Sequence, residues 1–545
     1  MGKTAYFLYK TAPYDHQIDA FNAVYGREYF ALFMQQGTGK SKVAIDVASN
    51  LYKEGKIDGV MLIAPNGVQE QWEIEQIPTH SPVRYQTLLW RSSNAASYNK
   101  ELSRFIEEKS EAIKWFCVNV EAFSRDTHID VFRRYLCKNN IMVIVDEATR
   151  IKSPEAQRTI NIIQGLSEIT KAGRRIVAIK PLSKYRAILT GTQVTNGPYN
   201  VWAMVEFLQH NYFGLDYLSF RSHYGIEVRA VVPNSYKSYF RKITLDEMTS
   251  IRNYAKQGKQ IEEIARIMNI NEASARFIID NPSVKAPYKN LDELKFKISK
   301  IAFQVLKKDC FDLPDKTYEQ IVVELSAEQK KIYNELVHEL SATFAGKELS
   351  VLNKVTLIGR LQQITGGFFP SNDGADGELT AFSTNPKLNA LIDDLEECSD
   401  FPVLVMARFV AEIKEIYRKL KEEYPDKRIE YICGEVTKGD RTEILESFKL
   451  GKVDVLVANA VTIGYGFNLQ GFCHTQYYFS NSYSLEERDQ SEDRIHRQGQ
   501  LSDKVLYKDI IAKKTIDEKV LMVLKSKRDL LEYMRSTSIE NFIGG

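Results

Sequence analysis

Met34-Gln35-Gln36-Gly37-Thr38-Gly39-Lys40-Ser41 is the stretch on which the reading of this chain turns. An apolar run, Tyr29 to Phe33, precedes it and reads as a buried strand. Lys42 to Ala48 follows, with apolar residues at helical spacing. A glycine-bearing loop between strand and helix turns successive backbone N–H groups toward phosphate oxygens, and the helix N-terminus adds partial positive charge. Gly37, Thr38 and Gly39 are therefore expected to cradle the phosphates of ATP. Lys40 would reach the β- and γ-phosphates, and Ser41 would hold Mg2+. Met34 stands where the phosphate-loop pattern has its first glycine. The plainer alternative is a glycine turn followed by a surface lysine.

Working outward, Ile141 to Val145 is a second apolar strand, and Asp146-Glu147 follows it directly. Phosphoryl transfer to water needs a metal clamp and a positioned water. Asp146 is expected to hold the Mg2+ shell, and Glu147 to orient or deprotonate the attacking water. Strand-end acids often only cap the next helix, but downstream of a phosphate loop they point to hydrolysis. Upstream, Pro13 to Gln17 opens an amphipathic helix carrying Ile18, Phe21 and Val24. Gln17 both donates and accepts through its amide, which suits the edge of adenine. Gly59 to Pro65 is a further buried strand, followed by a helix with Gln71, Trp72 and Glu75. Ligands of open α/β sheets bind at such carboxyl ends. Arg186 to Asn196 is another strand-to-loop unit, whose Thr190, Gly191 and Thr192 could relay a change at the γ-phosphate to another site.

A length of 545 residues exceeds what one core supports, so at least two domains are expected. A net charge of +2 gives no global pull toward polyanions, so any nucleic-acid site must be a local patch. The six cysteines include no CxxC pair, which argues against zinc and fits a reducing cytoplasm. The first residues lack the apolar core of a signal peptide, and no apolar run has transmembrane length. The expectation from these features is a cytoplasmic protein with no membrane partner; that no nuclease, chromatin-reading or zinc module is recognised adds the expectation of a prokaryote or a phage-infected cell.

Taken together, QQGTGKS, LIAPNGVQEQW, VDEATRIKS and LTGTQVTNGP resemble the helicase motifs of superfamily two, most closely its Swi/Snf-like branch of double-stranded-DNA translocases. The acidic motif runs on into Arg150-Ile151-Lys152-Ser153, similar to that branch's DE-x-H-x-I/L-K-N. The next motif is LTGT rather than the SAT of DEAD-box RNA helicases. Thr149 replaces the branch's usual His, and Gln193 its usual Pro. Further along, Thr462 to Leu469 resembles the G-x-G-x-N-L loop, in which Gly466 would permit close approach to nucleotide or DNA phosphate. Gln490 to Gln500 matches Q-x-x-D/G-R-x-H-R-x-G-Q and is the most specific string in the chain. Arg494 and Arg497 are expected on one helix face as arginine fingers, with Gln490 in the same catalytic set.

The resemblance implies an α/β fold with two RecA-like parallel-sheet lobes, helical insertions and ATP in the cleft between the lobes. The expected division is a first lobe over 1–228, a helical insert over 229–290, a connecting segment over 291–325, a second lobe over 326–512 and a brace helix over 513–545. Within the insert, Ile261 to Ile279 fits a helix-turn-helix, with Ile264, Ala265, Met268, Ile270, Ala275 and Ile278 inward and Asn269 at the turn. Its Arg276 could meet DNA, although Glu272 on the same helix would be repelled; a packing or protein-docking module is the alternative. Lys152, Arg408 and Asn468 are the other expected DNA contacts. The implied function is a monomeric, DNA-stimulated ATPase that moves on double-stranded or branched DNA. A strand-separating DNA or RNA helicase, or a nucleic-acid-binding regulator using the insert, remain as alternatives.

Overall fold

Short apolar runs alternating with helices dictate parallel strands joined by helical crossovers. The computed structural model describes residues 7–525 except 94, 173–174, 192–197, 226, 232–237, 243–244, 283–287, 289, 340, 345–346, 351–353, 371–378, 399–400, 460–461, 463–468, 483 and 523. The described residues divide into two compact units, one ending at Cys310 and one beginning at Phe311.

The first unit is built on a seven-stranded sheet. Its strands are β1 (Tyr29–Met34), β2 (Gly59–Ala64), β3 (Tyr85–Leu89), β4 (Ile113–Asn119), β5 (Ile141–Val145), β6 (Tyr185–Thr190) and β7 (Ala302–Val305). In space they run β7-β1-β6-β5-β2-β4-β3, every neighbouring pair parallel. A parallel sheet covered on both faces needs continuous apolar strands. β2 and β5 are accordingly buried at every position. Each fully buried Val, Leu, Ile or Phe contributes roughly 1.5–3 kcal/mol, so an aspartate at Leu62 or Ile144, both 0% exposed, would break the unit. Helix α1 (Asp15–Val24) buries Gln17, Ala20, Phe21 and Val24. Ile18, read from the sequence as part of that apolar face, is instead exposed.

Between β6 and β7 lies the insert, where an antiparallel hairpin (Glu227–Val231 with Ser238–Lys242) precedes helices α2 (Leu245–Lys256), α3 (Ile261–Met268) and α4 (Glu272–Asp280). Met248, Ile251, Ile264, Ala265, Ile270, Ala275 and Ile278 form their common core, with Met268 packed against it. Asn269 ends α3 at φ 52°, and the Asn271 side chain caps α4 by accepting from the Ser274 N–H at 2.9 Å. The basic stretch around Lys171 is part of a second hairpin, Ser167–Ala172 with Arg175–Pro181.

The second unit holds a six-stranded sheet: β8 (Asp315–Val323), β9 (Val403–Met406), β10 (Ile429–Ile432), β11 (Val455–Ala458), β12 (Thr475–Tyr478) and β13 (Lys504–Ala512). The spatial order is β8-β13-β12-β9-β11-β10, again parallel throughout. The segment 291–325, expected as a connector, supplies an edge strand to each sheet. Ser326 opens the helix Ala327–Glu339 by accepting from the Gln329 N–H at 3.2 Å. Ile516 and Val520 of the tail pack with Ile332, Leu336, Ile364 and Leu485; the tail from 526 on lies outside the described residues. Among the described residues no helix is long and apolar enough to cross a membrane.

Candidate active site

All strands of a parallel sheet present their carboxyl ends on one edge, so sheet order decides which loops meet. β6 lies between β1 and β5. The phosphate loop after β1 and the acidic pair after β5 therefore flank the Thr190–Gly191 tip of β6. Thr190 pairs in register with Phe33, and a Cβ at Gly191 would lie 3.3 Å from the Gln36 nitrogen. Thr192, the third residue of that expected relay, lies outside the described residues.

The loop turns through left-handed Gly37 (φ 86°) and Gly39 (φ 84°). L side chains disfavour that region by about 1–2 kcal/mol. Thr38 closes the turn, its N–H and its hydroxyl both donating to the Gln35 carbonyl, at 3.2 and 2.7 Å. Helix α5 (Lys40–Lys53) starts immediately after. Its first N–H groups lack intrahelical partners and suit an anion. Ser41 is half-buried.

α1 packs on this loop. Gln17 donates its amide to the Thr38 carbonyl at 3.2 Å and accepts from the Tyr14 N–H at 3.1 Å. A Cβ at Gly39 would come within 2.1 Å of the Gln17 Nε2. Gln17, expected at adenine, thus has both ends of its amide engaged within the chain and braces the loop. His16 Nε2 donates to the same Thr38 carbonyl at 2.8 Å. The sequence reading had no role for His16, and only its place beside Gln17 could have suggested one.

Across the sheet edge Lys40 is 8% exposed, and its Nζ lies 3.8 Å from the Glu147 Oε1. That is an ion pair too long for a hydrogen bond. Glu147 sits at φ 47°, in a region that a non-glycine residue occupies at a cost and that clusters at functional sites. Asp146 is buried; burial pushes its carboxyl up to about 6, with Lys40 opposing and Glu147 adding to the rise. Its Oδ1 accepts from the Glu147 N–H at 2.9 Å and its Oδ2 from the Trp72 indole at 2.8 Å. Thr149, in place of the resembled family's His, is buried in the turn Ala148–Ile151. Lys152 is half-buried at the end of that turn. The Ser41 hydroxyl after the anion-binding loop and the buried Asp146 carboxylate are hard-oxygen donors of the kind that fits Mg2+.

In the second unit the helix Leu485–Glu492, α6, carries Gln490. Arg494 and Arg497 do not share a helix face: α6 ends at Glu492, and both lie in the turns beyond it. Arg494 is 1% exposed, whereas Arg497 is half-buried, with Nε donating to the Asp493 carbonyl at 2.7 Å. Spacing of three predicts one face only while the helix continues, and here it stops. Ahead of them Arg488 bridges Asp509 (2.5 and 3.1 Å), Glu492 (2.8 Å) and Asn481 (2.7 Å). Arg408, half-buried after β9, bonds Gln362 and lines a cavity of about 450 Å3 with Asn459, Ser480, Asn481 and Arg488. Arg276 is exposed on α4, beside an equally exposed Glu272. Gly466 and Asn468 lie outside the described residues.

Residues 31–365 match the family described as SNF2-related domain, and residues 386–499 match the helicase conserved C-terminal domain. A protein called p41, from Acyrthosiphon pisum secondary endosymbiont phage 1, is 23% identical over 401 residues, covering 72% of this chain and 71% of that protein. An uncharacterized ATP-dependent helicase of Mycoplasma genitalium is 24% identical over 397 residues, 72% of this chain but 30% of the helicase. The DNA excision repair protein ERCC-6-like of Danio rerio is 22% identical over 565 residues, 93% of this chain and 35% of that protein. The solved Sulfolobus solfataricus SWI2/SNF2 ATPase core in complex with dsDNA is 19% identical, with 97% of this chain and 94% of that one covered at a TM-score of 0.36.

Proposed function

This chain belongs to the SNF2-related family and is an ATP hydrolase, and from that premise we propose that duplex DNA stimulates its hydrolysis and that it translocates on the duplex, remodelling DNA structures or DNA-bound proteins. The observation that carries the chemistry is the loose pairing of Lys40 with Glu147 at 3.8 Å beside buried Asp146. A tight pair would be spent on structure; this one can change partners. Lys40 turns to the β- and γ-phosphates held by the backbone of Gly37 to Gly39. Glu147, released, orients a water in line with the γ-phosphorus and takes its proton as the water oxygen bonds to phosphorus and the bond to the bridging oxygen breaks, that oxygen leaving with ADP. Ser41 and Asp146 would hold Mg2+, which would supply charge neutralisation when bound.

Arg494 and Arg497 stabilise the charge that spreads over the transferring phosphoryl group, an effect worth roughly 10³–10⁵ in rate. Gln490 is proposed as a member of the same catalytic set. Thr190, Gly191 and Thr192 pass the presence of the γ-phosphate toward the DNA-contacting residues. Lys152, Arg408 and Asn468 are proposed as phosphate contacts, which makes binding salt-dependent and insensitive to base sequence. Arg276 is the proposed contact of the insert.

The test is ATP turnover with and without duplex DNA, in the unaltered protein and in Lys40→Ala, Glu147→Gln and Arg497→Ala. Stimulation by duplex, and its loss in all three variants, is the expected result. Stimulation by RNA but not by duplex DNA would overturn the reading.

A further inference from the structure

A carboxylate's terminal torsion is soft and two-fold, so an aspartate that serves a metal shell takes its orientation from its neighbours. Asp146 is held at both oxygens. Oδ1 is held by the main-chain N–H of Glu147, which any residue at 147 other than proline would provide. Oδ2 is held by one particular side chain, the Trp72 indole, 74 residues away in sequence. Trp72 is 1% exposed and packs on Trp115 with ring centroids 6.0 Å apart. It also opens a π-helical turn, Trp72–Gln76, set between the α-helical turns Val68–Gln71 and Ile77–His80. Such wide turns are rare and recur at functional sites, because one extra residue re-aims the side chains around it. Packing alone would be met by any large ring; the directed 2.8 Å bond to one carboxylate oxygen would not.

We propose that Trp72 is a positioning residue for hydrolysis, its indole N–H fixing the Asp146 carboxylate in one orientation before nucleotide and metal arrive. The inference rests on Asp146 serving the Mg2+ shell. Partners that orient a metal ligand in this way typically contribute roughly 10–100-fold to metal affinity or activity.

The experiment is a Mg2+ titration at saturating ADP, read as the rise in melting temperature, beside the Mg2+ dependence of ATP turnover. Trp72→Phe keeps an aromatic ring and removes the donor. Site-specific replacement of Trp72 by 3-benzothienylalanine keeps the full bicyclic volume and exchanges only the N–H for sulfur, so it reports even where Trp72→Phe folds poorly. Both are expected to raise the half-saturating Mg2+ concentration roughly 10–100-fold, with little change in the binding of metal-free ADP. In an Asp146→Asn background neither is expected to shift it further. A lower melting temperature with an unmoved Mg2+ midpoint would make Trp72 a packing residue and overturn the proposal. An unmoved midpoint in Asp146→Asn itself would instead overturn the metal-shell reading of Asp146.

Discussion

Two buried charge clusters, one in each unit, are arranged in opposite ways. In the first, Lys40 and Glu147 stand 3.8 Å apart, and an acid with a raised pKa lies beside them. In the second, Arg488 is clamped by Asp509, Glu492 and Asn481 at 2.5–3.1 Å and lies with its guanidinium 3.3 Å from the Tyr478 ring centre. Lys316 and Tyr318 reach the same Glu492 at 3.1 and 2.9 Å. The first arrangement keeps partners to exchange; the second has exchanged them all. Charged residues along α6 and the turns after it therefore do not share one job. Arg494 and Arg497 carry the proposed chemistry, while Arg488, within α6 and upstream of both, fastens that helix to β13 through Asp509.

The largest effect should come from breaking the loose side. Glu147→Gln removes the proton acceptor and keeps the shape, and it is expected to lower kcat by about 10²–10⁴-fold while ATP binding, measured by fluorescent-analogue titration, persists. If the contrast holds, Arg488→Ala acts differently: it leaves Asp509 buried without its Arg488 partner and Glu492 with Lys316 alone, and should destabilise the second unit by about 3–5 kcal/mol, read by denaturant unfolding. Nucleotide affinity of the first unit should then be unchanged. Gly39→Ala sharpens the account of the phosphate loop. It forces an L residue to φ 84° and drives a methyl into Gln17, so nucleotide affinity should fall about tenfold, equal to ~1.4 kcal/mol. Asn269→Ala removes the residue that tolerates the left-handed turn of the insert and should cost about 1 kcal/mol in the insert alone, seen as faster amide exchange in α3 and α4. A pH-dependent effect concerns His80, which burial, Lys42 and Lys10 hold down to about 4 from its ordinary 6.5. The unfolded chain takes up that proton first, so the first unit should lose stability as pH falls from about 6.5 toward 4. His80→Gln should flatten that limb of the unfolding-midpoint profile.

How much of this was legible in the sequence differs by kind of signal. The strands Tyr29–Met34 and Ile141–Val145 announce themselves because a doubly covered parallel sheet demands unbroken apolar runs. The loops that follow them carry residue types the chemistry requires, so Gly37 to Lys40 and Asp146-Glu147 could be read together before any fold was known. The Trp72–Asp146 bond could not, since nothing in a string of letters joins residues so far apart. Arg494 and Arg497 misled because helical spacing says nothing of where the helix stops. Ala302–Val305 was missed because a four-residue, half-buried strand has too few apolar positions to stand out from a linker.

That last strand has a consequence for how the protein is made. It pairs with β1 from Ala31 to Met34. Its last residue and the chain just beyond it anchor the phosphate loop, for the Gln35 N–H donates to the Val305 carbonyl at 3.1 Å and the Gln35 side chain accepts from the Lys307 N–H at 2.9 Å. On the ribosome, the strand that bears the nucleotide loop must wait with a naked edge until the entire insert has emerged. Synthesis order thus makes the insert a timer on the maturation of the ATP site, and an edge left open that long is one a chaperone would be expected to cover.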